Sequence, residues 1–166
     1  MRYLSNNLII FGAKYLIFLI MIIAFLYFLK QSRDRQRRII IFSLISLPAI
    51  YIVAKTLSIF YYNPRPFALS HSVPLIFHVP DNGFTSDHVL LSSAISAIIF
   101  YLNRKLGILL LMLAMLVGIA RVLAGVHHPI DVIGSIVIAF SVSFLIYRNL
   151  LPKVMNLRCV KNYFNN

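Results

Sequence analysis

Apolar residues in this chain come in long blocks, neither alternating as in a half-buried strand nor forming the single stripe of a surface helix. Residues 8–29 are an almost unbroken apolar run with one charge, Lys14, and a helix of that length crosses a hydrocarbon core of about 30 Å. Five basic residues follow it, Lys30, Arg33, Arg35, Arg37 and Arg38, the order of a stop-transfer signal and the reverse of a cleaved leader. Residues 39–62 predict a second span, with a kink at Pro48 and Lys55 about two turns from the far end. After a long connection, a third span is expected at 86–102, where Thr85, Ser86 and Asp87 are all plausible N-caps. A fourth is expected at 106–125 and a fifth at 130–147, with the basic tail from Arg148 ordered only in part. The pattern therefore predicts an all-α integral membrane protein, a bundle of about five transmembrane helices forming one domain over 1–166.

Composition agrees. Sixty per cent of the chain is hydrophobic and 12% is charged, against roughly a quarter charged in an average soluble domain. That excess excludes disorder, and a single cysteine, Cys159, excludes a disulfide framework or a cysteine-based zinc site. Sixteen Lys and Arg stand against four Asp and no Glu, yet without a polar majority the net charge of +12 does not describe a nucleic-acid binder. It describes orientation. Five spans force the connections to alternate sides, and putting Lys30 to Arg38 in the cytoplasm brings Arg104, Lys105, Arg148, Lys153, Arg158 and Lys161 to the same side. The expected location is the cytoplasmic membrane, with the N-terminus outside and the C-terminus inside.

The opposite side then collects the chemistry. All five histidines, His71, His78, His88, His127 and His128, fall in the outer connections or at their helix junctions, as do Asp81, Asp87 and Asp131. Ionisable groups next to a bilayer are costly and mark function by default. Arg65 and Arg121 each present a planar fork of donors to phosphate oxygens, and the start of the third helix, at Ser86, offers unpaired backbone N–H groups. Pro129 suits the first position of the fifth helix, which sets Asp131 in its opening turn, four residues from His127. A carboxylate there can hold one imidazole nitrogen and leave the other as nucleophile or base, while His88 arrives from another helix as the acid. The set suggests phosphoryl transfer through a phosphohistidine, with no metal and no cofactor. The bland readings are a metal pair of His127 and His128 joined by His71 or His78, which fits no familiar zinc spacing, and simple capping by Ser86 and Asp87. His71 and His78 read as ordinary loop residues, residues 73–77 as an apolar loop in the headgroup layer or a sill for a lipid chain, and Gly125 as a helix exit.

At these positions the sequence resembles the type 2 phosphatidic acid phosphatases, whose pattern is Lys, six residues, Arg-Pro; then Pro-Ser-Gly-His; then Ser-Arg, five residues, His, three residues, Asp. Here the chain reads Arg65-Pro66, then Thr85-Ser86-Asp87-His88, then Ala120-Arg121, five residues, His127, three residues, Asp131. The bacitracin-resistance type of undecaprenyl-diphosphate phosphatase is the nearest style, echoed by Pro64-Arg65-Pro66-Phe67 and by residues 127–135. The resemblance implies His127 as nucleophile, Asp131 as its orienting partner, His88 as general acid, and Arg65, Ser86 and Arg121 as phosphate ligands. Ser58, Thr85, Asp87 and Ala120 depart from the pattern. Lys55, one turn deeper than Ser58, is expected to snorkel outward and replace the missing lysine at the phosphate. The implied activity is hydrolysis of undecaprenyl diphosphate at the outer face. Phosphatidylglycerol-phosphate, phosphatidic acid and lipid A phosphatases are alternatives, and a non-catalytic anionic-lipid transporter is the rival of another class. Partners are membrane lipids and the lipid phosphate itself, with no nucleic acid and no foreseeable protein partner.

Overall fold

The computed structural model describes residues 2–70 and 73–157. Within them the chain is helical: α1 (Arg2–Lys14), α2 (Leu16–Leu29), α3 (Arg33–Phe60), α4 (Pro66–Ser70), α5 (Asp87–Leu102), α6 (Arg104–Leu123), α7 (Pro129–Leu145), a π-helical turn (Ile146–Leu150) and α8 (Leu151–Met155). Among the described residues there is no strand, only an isolated bridge between Pro64 and Asn82. Three segments are long and apolar enough to cross a membrane, Arg33–Phe60, Arg104–Leu123 and Pro129–Met155; the bent pair Ser5–Lys14 and Leu16–Leu29 adds a fourth, and Asp87–Leu102 is a shorter apolar helix. The protein is a multi-pass membrane protein.

Two boundaries differ from the sequence expectation. The first span, expected to be one helix over 8–29, is broken at Tyr15 and bends by 46°. The break falls beside the Ala13 carbonyl, which faces an Arg121 Nη1 donor at 3.5 Å, and Gly12 lies close enough to α6 that an added Cβ would sit 3.0 Å from Ala120. A side chain reaching into the helical hydrogen-bond ladder is a recognised cause of such kinks. The basic cluster after α2 is also not a loop. Arg33 to Arg38 form the opening turns of α3, with Asp34 placed favourably at its positive end.

The bundle is inside out relative to a soluble protein. Phe18, Ile22 and Phe25 of α2, Leu44 and Ile52 of α3, Ile119 and Leu123 of α6, and Ile133 and Val137 of α7 are exposed. Patches of that extent belong against lipid. Inside, α5 contacts α2, α3, α6 and α7. Its small residues Ser92, Ser93, Ala94, Ser96 and Ala97 are all buried, which lets four neighbours approach closely. At 16 residues α5 is about 24 Å long, whereas the 28 residues of α3 reach about 42 Å. The start of α5 therefore lies recessed between longer helices, and this recess holds the site.

The exit from α6 directs the chain back into the recess. Gly125 has φ of 77°, its N–H bonds to the Val122 carbonyl at 2.9 Å and the Val126 N–H to the Arg121 carbonyl at 3.3 Å. This pair of bonds is a Schellman motif, and only glycine adopts that φ without penalty. Its nearest outside neighbour, Pro74, would lie 3.9 Å from an added Cβ, so space is not the constraint. Gly125→Ala is accordingly expected to destabilise the protein by about 1–2 kcal/mol through backbone strain alone. Thermal unfolding in detergent measures this, with Gly125→Asn losing less than Gly125→Ala.

Candidate functional site

Four segments meet in the recess: the chain after α3, the loop before α5, the end of α6 and the start of α7. His127 lies between the last two, only 2% exposed. Its Nδ1 is 3.0 Å from the Gly83 carbonyl and 3.4 Å from Asp131 Oδ2, both acceptors, so the proton belongs on Nδ1. Nε2 is thereby left with a lone pair, facing Arg65 Nη1 at 3.2 Å and Arg121 Nη2 at 3.3 Å. Burial, then the two guanidinium charges, hold the imidazole below its ordinary pKa against the raising influence of Asp131. At neutral pH the ring is a neutral base with its free nitrogen aimed at two cations.

Asp131 occupies the third position of α7, behind Pro129 at the first. Its Oδ2 accepts the His128 N–H at 2.8 Å and its Oδ1 accepts the Asn63 side-chain amide at 2.7 Å. Asp131 is thus fixed before it meets the imidazole. His128 turns away from His127, its Nε2 donating to the Pro64 carbonyl at 3.1 Å. Among the described residues no group of three His, Cys, Asp or Glu side chains is placed to hold an ion. His71 lies outside the described residues.

Two asparagines and a glycine that the sequence reading did not single out hold this geometry. Asn82 donates to the Ser58 and Tyr61 carbonyls at 2.9 and 3.1 Å, at the end of α3 where helix carbonyls lack partners. Its own oxygen accepts the N–H groups of Asn63 and Phe84, each at 3.0 Å, and the Gly83 N–H reaches the Asn63 carbonyl at 2.8 Å. The result presents the Gly83 carbonyl to His127. A Cβ on Gly83 would sit 3.1 Å from that Asn63 carbonyl and 3.2 Å from Asp131 Oδ2. The one available signal was the Asn82-Gly83 pair itself, which reads from sequence only as a turn.

A cavity of about 280 Å³ opens in front of Nε2, lined by Arg65, His78, Asp81, Asp87, His88, Arg121 and His127. Its two arginines are already engaged. Arg65 donates through Nε to Asp81 at 2.6 Å and through Nη1 to the Val126 carbonyl at 3.0 Å. Arg121, 3% exposed, points an Nη2 donor at Nε2 of His78, whose Nδ1 donates to its own neighbour's carbonyl, Phe77, at 2.8 Å. Burial and the charge of Arg121 keep His78 neutral by lowering its pKa. His78, expected to be an ordinary loop residue, is thus part of the cavity. The loop that carries it is pinned to the end of α6 by buried Ile76 and by the Leu75 N–H on the Ala124 carbonyl at 3.0 Å, while Val73 and Phe77 project outward.

Of the other expected ligands, Ser86 holds the N-cap position of α5 but makes no cap hydrogen bond; its hydroxyl is fully buried without a partner. Its backbone N–H is taken by Ser135 Oγ at 3.1 Å, which ties α5 to α7. Lys55 does not line the cavity. Its ammonium lies 3.4 Å from Asp87, with both side chains largely exposed, and so supplies a counter-charge to the aspartate that stands beside the site.

Residues 38–154 match the PAP2 superfamily. The chain belongs to that family. Among its relatives, the undecaprenyl-diphosphatase BcrC of Bacillus subtilis (strain 168) is 33% identical over 147 residues, 86% of this chain and 74% of that protein. The bacitracin transport permease protein BcrC of Bacillus licheniformis is 35% identical over 128 residues, 76% of this chain and 63% of that protein. No solved structure matches. The matched region contains every residue of the cavity, and the oriented imidazole sets that cavity apart from a bare anion cradle. Nitrogen-15 NMR of histidine-labelled protein is expected to show His127 neutral at pH 6.5 as the Nδ1–H tautomer. Arg65→Gln is expected to raise its pKa by removing a nearby positive charge.

Proposed function

We propose that this protein is a membrane phosphatase that removes the terminal phosphate of undecaprenyl diphosphate, with the reaction at the outer face of the cytoplasmic membrane and the C-terminus inside. The single observation that carries the reading is the unprotonated Nε2 of His127 between two guanidinium groups. An anion binder or a transporter needs the arginines; it has no use for a nitrogen whose partner nitrogen is held by Gly83 and Asp131. That separates this reading from transport, the activity in the name of the Bacillus licheniformis relative. The substrate follows from the name of the Bacillus subtilis protein and from the wall of the cavity. An apolar groove of about 230 Å³ between α3 and α5, lined by Ile50, Tyr51, Leu90 and Leu91, meets the catalytic cavity at Asp87, giving a prenyl chain a path from the bilayer.

In the first step Nε2 of His127 attacks the terminal phosphorus in line, and the bond from phosphorus to the bridging oxygen breaks. Arg65 and Arg121 exchange Asp81 and His78 for the phosphate's oxygens, and the orphaned Ser86 hydroxyl gains a partner there. His88, which takes up a proton as the anionic substrate enters beside it, passes that proton to the leaving lipid monophosphate. In the second step His88 takes a proton from water, the hydroxide attacks the phosphohistidine, and inorganic phosphate leaves with His127 neutral again. Asp131 keeps the ring oriented and stabilises the positive charge it carries as the phosphoryl adduct. Lys55 acts through Asp87, offsetting its charge beside an incoming anion.

Phosphate release from undecaprenyl diphosphate in detergent tests the reading. His127→Ala is expected to lose at least about 10³-fold in kcat and Arg121→Ala about 10²–10³-fold, with a chelator leaving the wild-type rate unchanged. Full activity in His127→Ala would sink the mechanism. Because the leaving group from a diphosphate is itself a phosphate with a second pKa near 6, it departs with little proton assistance. His88→Ala is therefore expected to cost more with a lipid phosphomonoester, whose leaving alcohol needs the proton, about 10²–10⁴-fold, than with the diphosphate.

The pH profile follows from the nucleophile. The lowered pKa of His127 leaves Nε2 free at neutrality, so kcat/KM is retained as pH falls past the ordinary imidazole range. It is lost only when Nε2 protonates at the lower value.

A further inference from the structure

At the end of the bundle away from the catalytic cavity lies a second cavity, about 180 Å³, lined by Tyr27, Arg35, Arg38, Tyr101 and Tyr147. The two are separated along α5: Asp87 and His88 in its first turn line one, Tyr101 in its last turn lines the other, about 20 Å away at 1.5 Å per residue. Arg35 and Arg38 stand in the opening turns of α3, where positive charge opposes the helix dipole, so helix stability does not account for them. Among the described residues neither has a carboxylate partner. Arg38 makes no hydrogen bond there, and Arg35 makes only a contact to Gln31 at 3.5 Å. The hydroxyls of Tyr27 and Tyr147 are equally without hydrogen bonds among these residues, whereas that of Tyr101 is spent on the Phe140 carbonyl at 3.3 Å. The walls are firm: Tyr101 and Tyr147 stack at 5.2 Å, and Phe42 packs against both rings.

Directly beneath, and sharing Ile39 with this cavity, an apolar groove of about 200 Å³ runs between α2, α3 and α5 past Met21, Ala24, Leu47 and Ile95. The level is that of the interface, since the apolar run of α2 ends at Leu29 and that of α3 begins at Ile39. A cationic chamber over an apolar groove matches a lipid and not a soluble anion. Basic pockets between transmembrane helices are suited to anionic headgroups, and the volume is well above the ~10–15 Å³ one water needs.

We propose that this second cavity binds an anionic membrane phospholipid. Its phosphate would accept from Arg35, Arg38 and the hydroxyls of Tyr27 and Tyr147, with one acyl chain in the groove below. The site is separate from the catalytic cavity and holds lipid without turning it over.

The test uses the full chain in detergent with dioleoylphosphatidylglycerol, dioleoylphosphatidylcholine or inorganic phosphate added, followed by thermal unfolding. The expected result is a rise in Tm with phosphatidylglycerol that phosphatidylcholine does not give, and that depends on Arg35 and Arg38. Its apparent affinity should fall about tenfold or more in Arg35→Gln/Arg38→Gln, the loss expected of two charge-assisted bonds. Arg33→Gln, which removes a charge of the same cluster outside the cavity, should retain the wild-type response. Ala24→Trp, filling the groove without touching charge, should weaken phosphatidylglycerol binding as well. Undiminished phosphate release in phosphatidylcholine micelles shows that each variant is folded. Equal loss in Arg33→Gln would overturn the proposal in favour of diffuse charge attraction. A Tm rise with inorganic phosphate that Arg35→Gln/Arg38→Gln abolishes, or no effect of Ala24→Trp, would overturn it in favour of a soluble anion.

Discussion

Two guanidinium groups converge on one imidazole nitrogen inside a bundle whose outer surface is apolar, and the rest of the structure is arranged around the cost of that encounter. Arg121 is almost fully buried and Arg65 nearly so, and each raises the energy of the other's charge. The fold compensates from several directions. Asp81 and the Val126 carbonyl take Arg65; His78, His127 and the Ala13 carbonyl face Arg121. Even the kink between α1 and α2 belongs to this compensation, since it leaves a backbone carbonyl beside Arg121. A bound anion would supply both the negative charge and the acceptor oxygens that these groups provide only in part.

The imidazole is defended on its other face by backbone and amide groups in place of bulk. Asn82 satisfies carbonyls at the end of α3, so the loop before α5 is locked to a helix end and the Gly83 carbonyl cannot swing away from His127. Asp131 is held by three separate donors, two of which do not depend on His127. An imidazole in such surroundings has one tautomer and one direction, and the energy for that order is drawn from helix ends whose groups would otherwise be unsatisfied.

Depth is the other organising quantity. The short α5 sinks its N-terminus below the ends of α3 and α7, where charge interactions are strong and water is scarce. Its other end stops level with the tyrosines and arginines of the opposite interface. One helix therefore relates both polar cavities to the bilayer, and its small buried residues allow four partners to close around it.

Much of this was legible in the residues. Blocks of apolar sequence determine helices because a backbone in lipid must satisfy its own hydrogen bonds, and the helices near 39–62, 86–102, 106–125 and 130–147 follow from that alone. The pairing of His127 with Asp131 and the positions of Pro129 and Gly125 were equally local, being matters of helical spacing and allowed φ. Tertiary structure decided what composition is silent about: that His78 and Asp81 reach the arginines, that Asn63, Asn82 and Gly83 orient the His127 imidazole and the Asp131 carboxylate, that Lys55 pairs with Asp87, and that the first span is bent. Each of these depends on contacts between residues far apart in the chain, whose meeting is set by helix packing and by the need of each buried donor and acceptor for a partner, neither of which has a period to read.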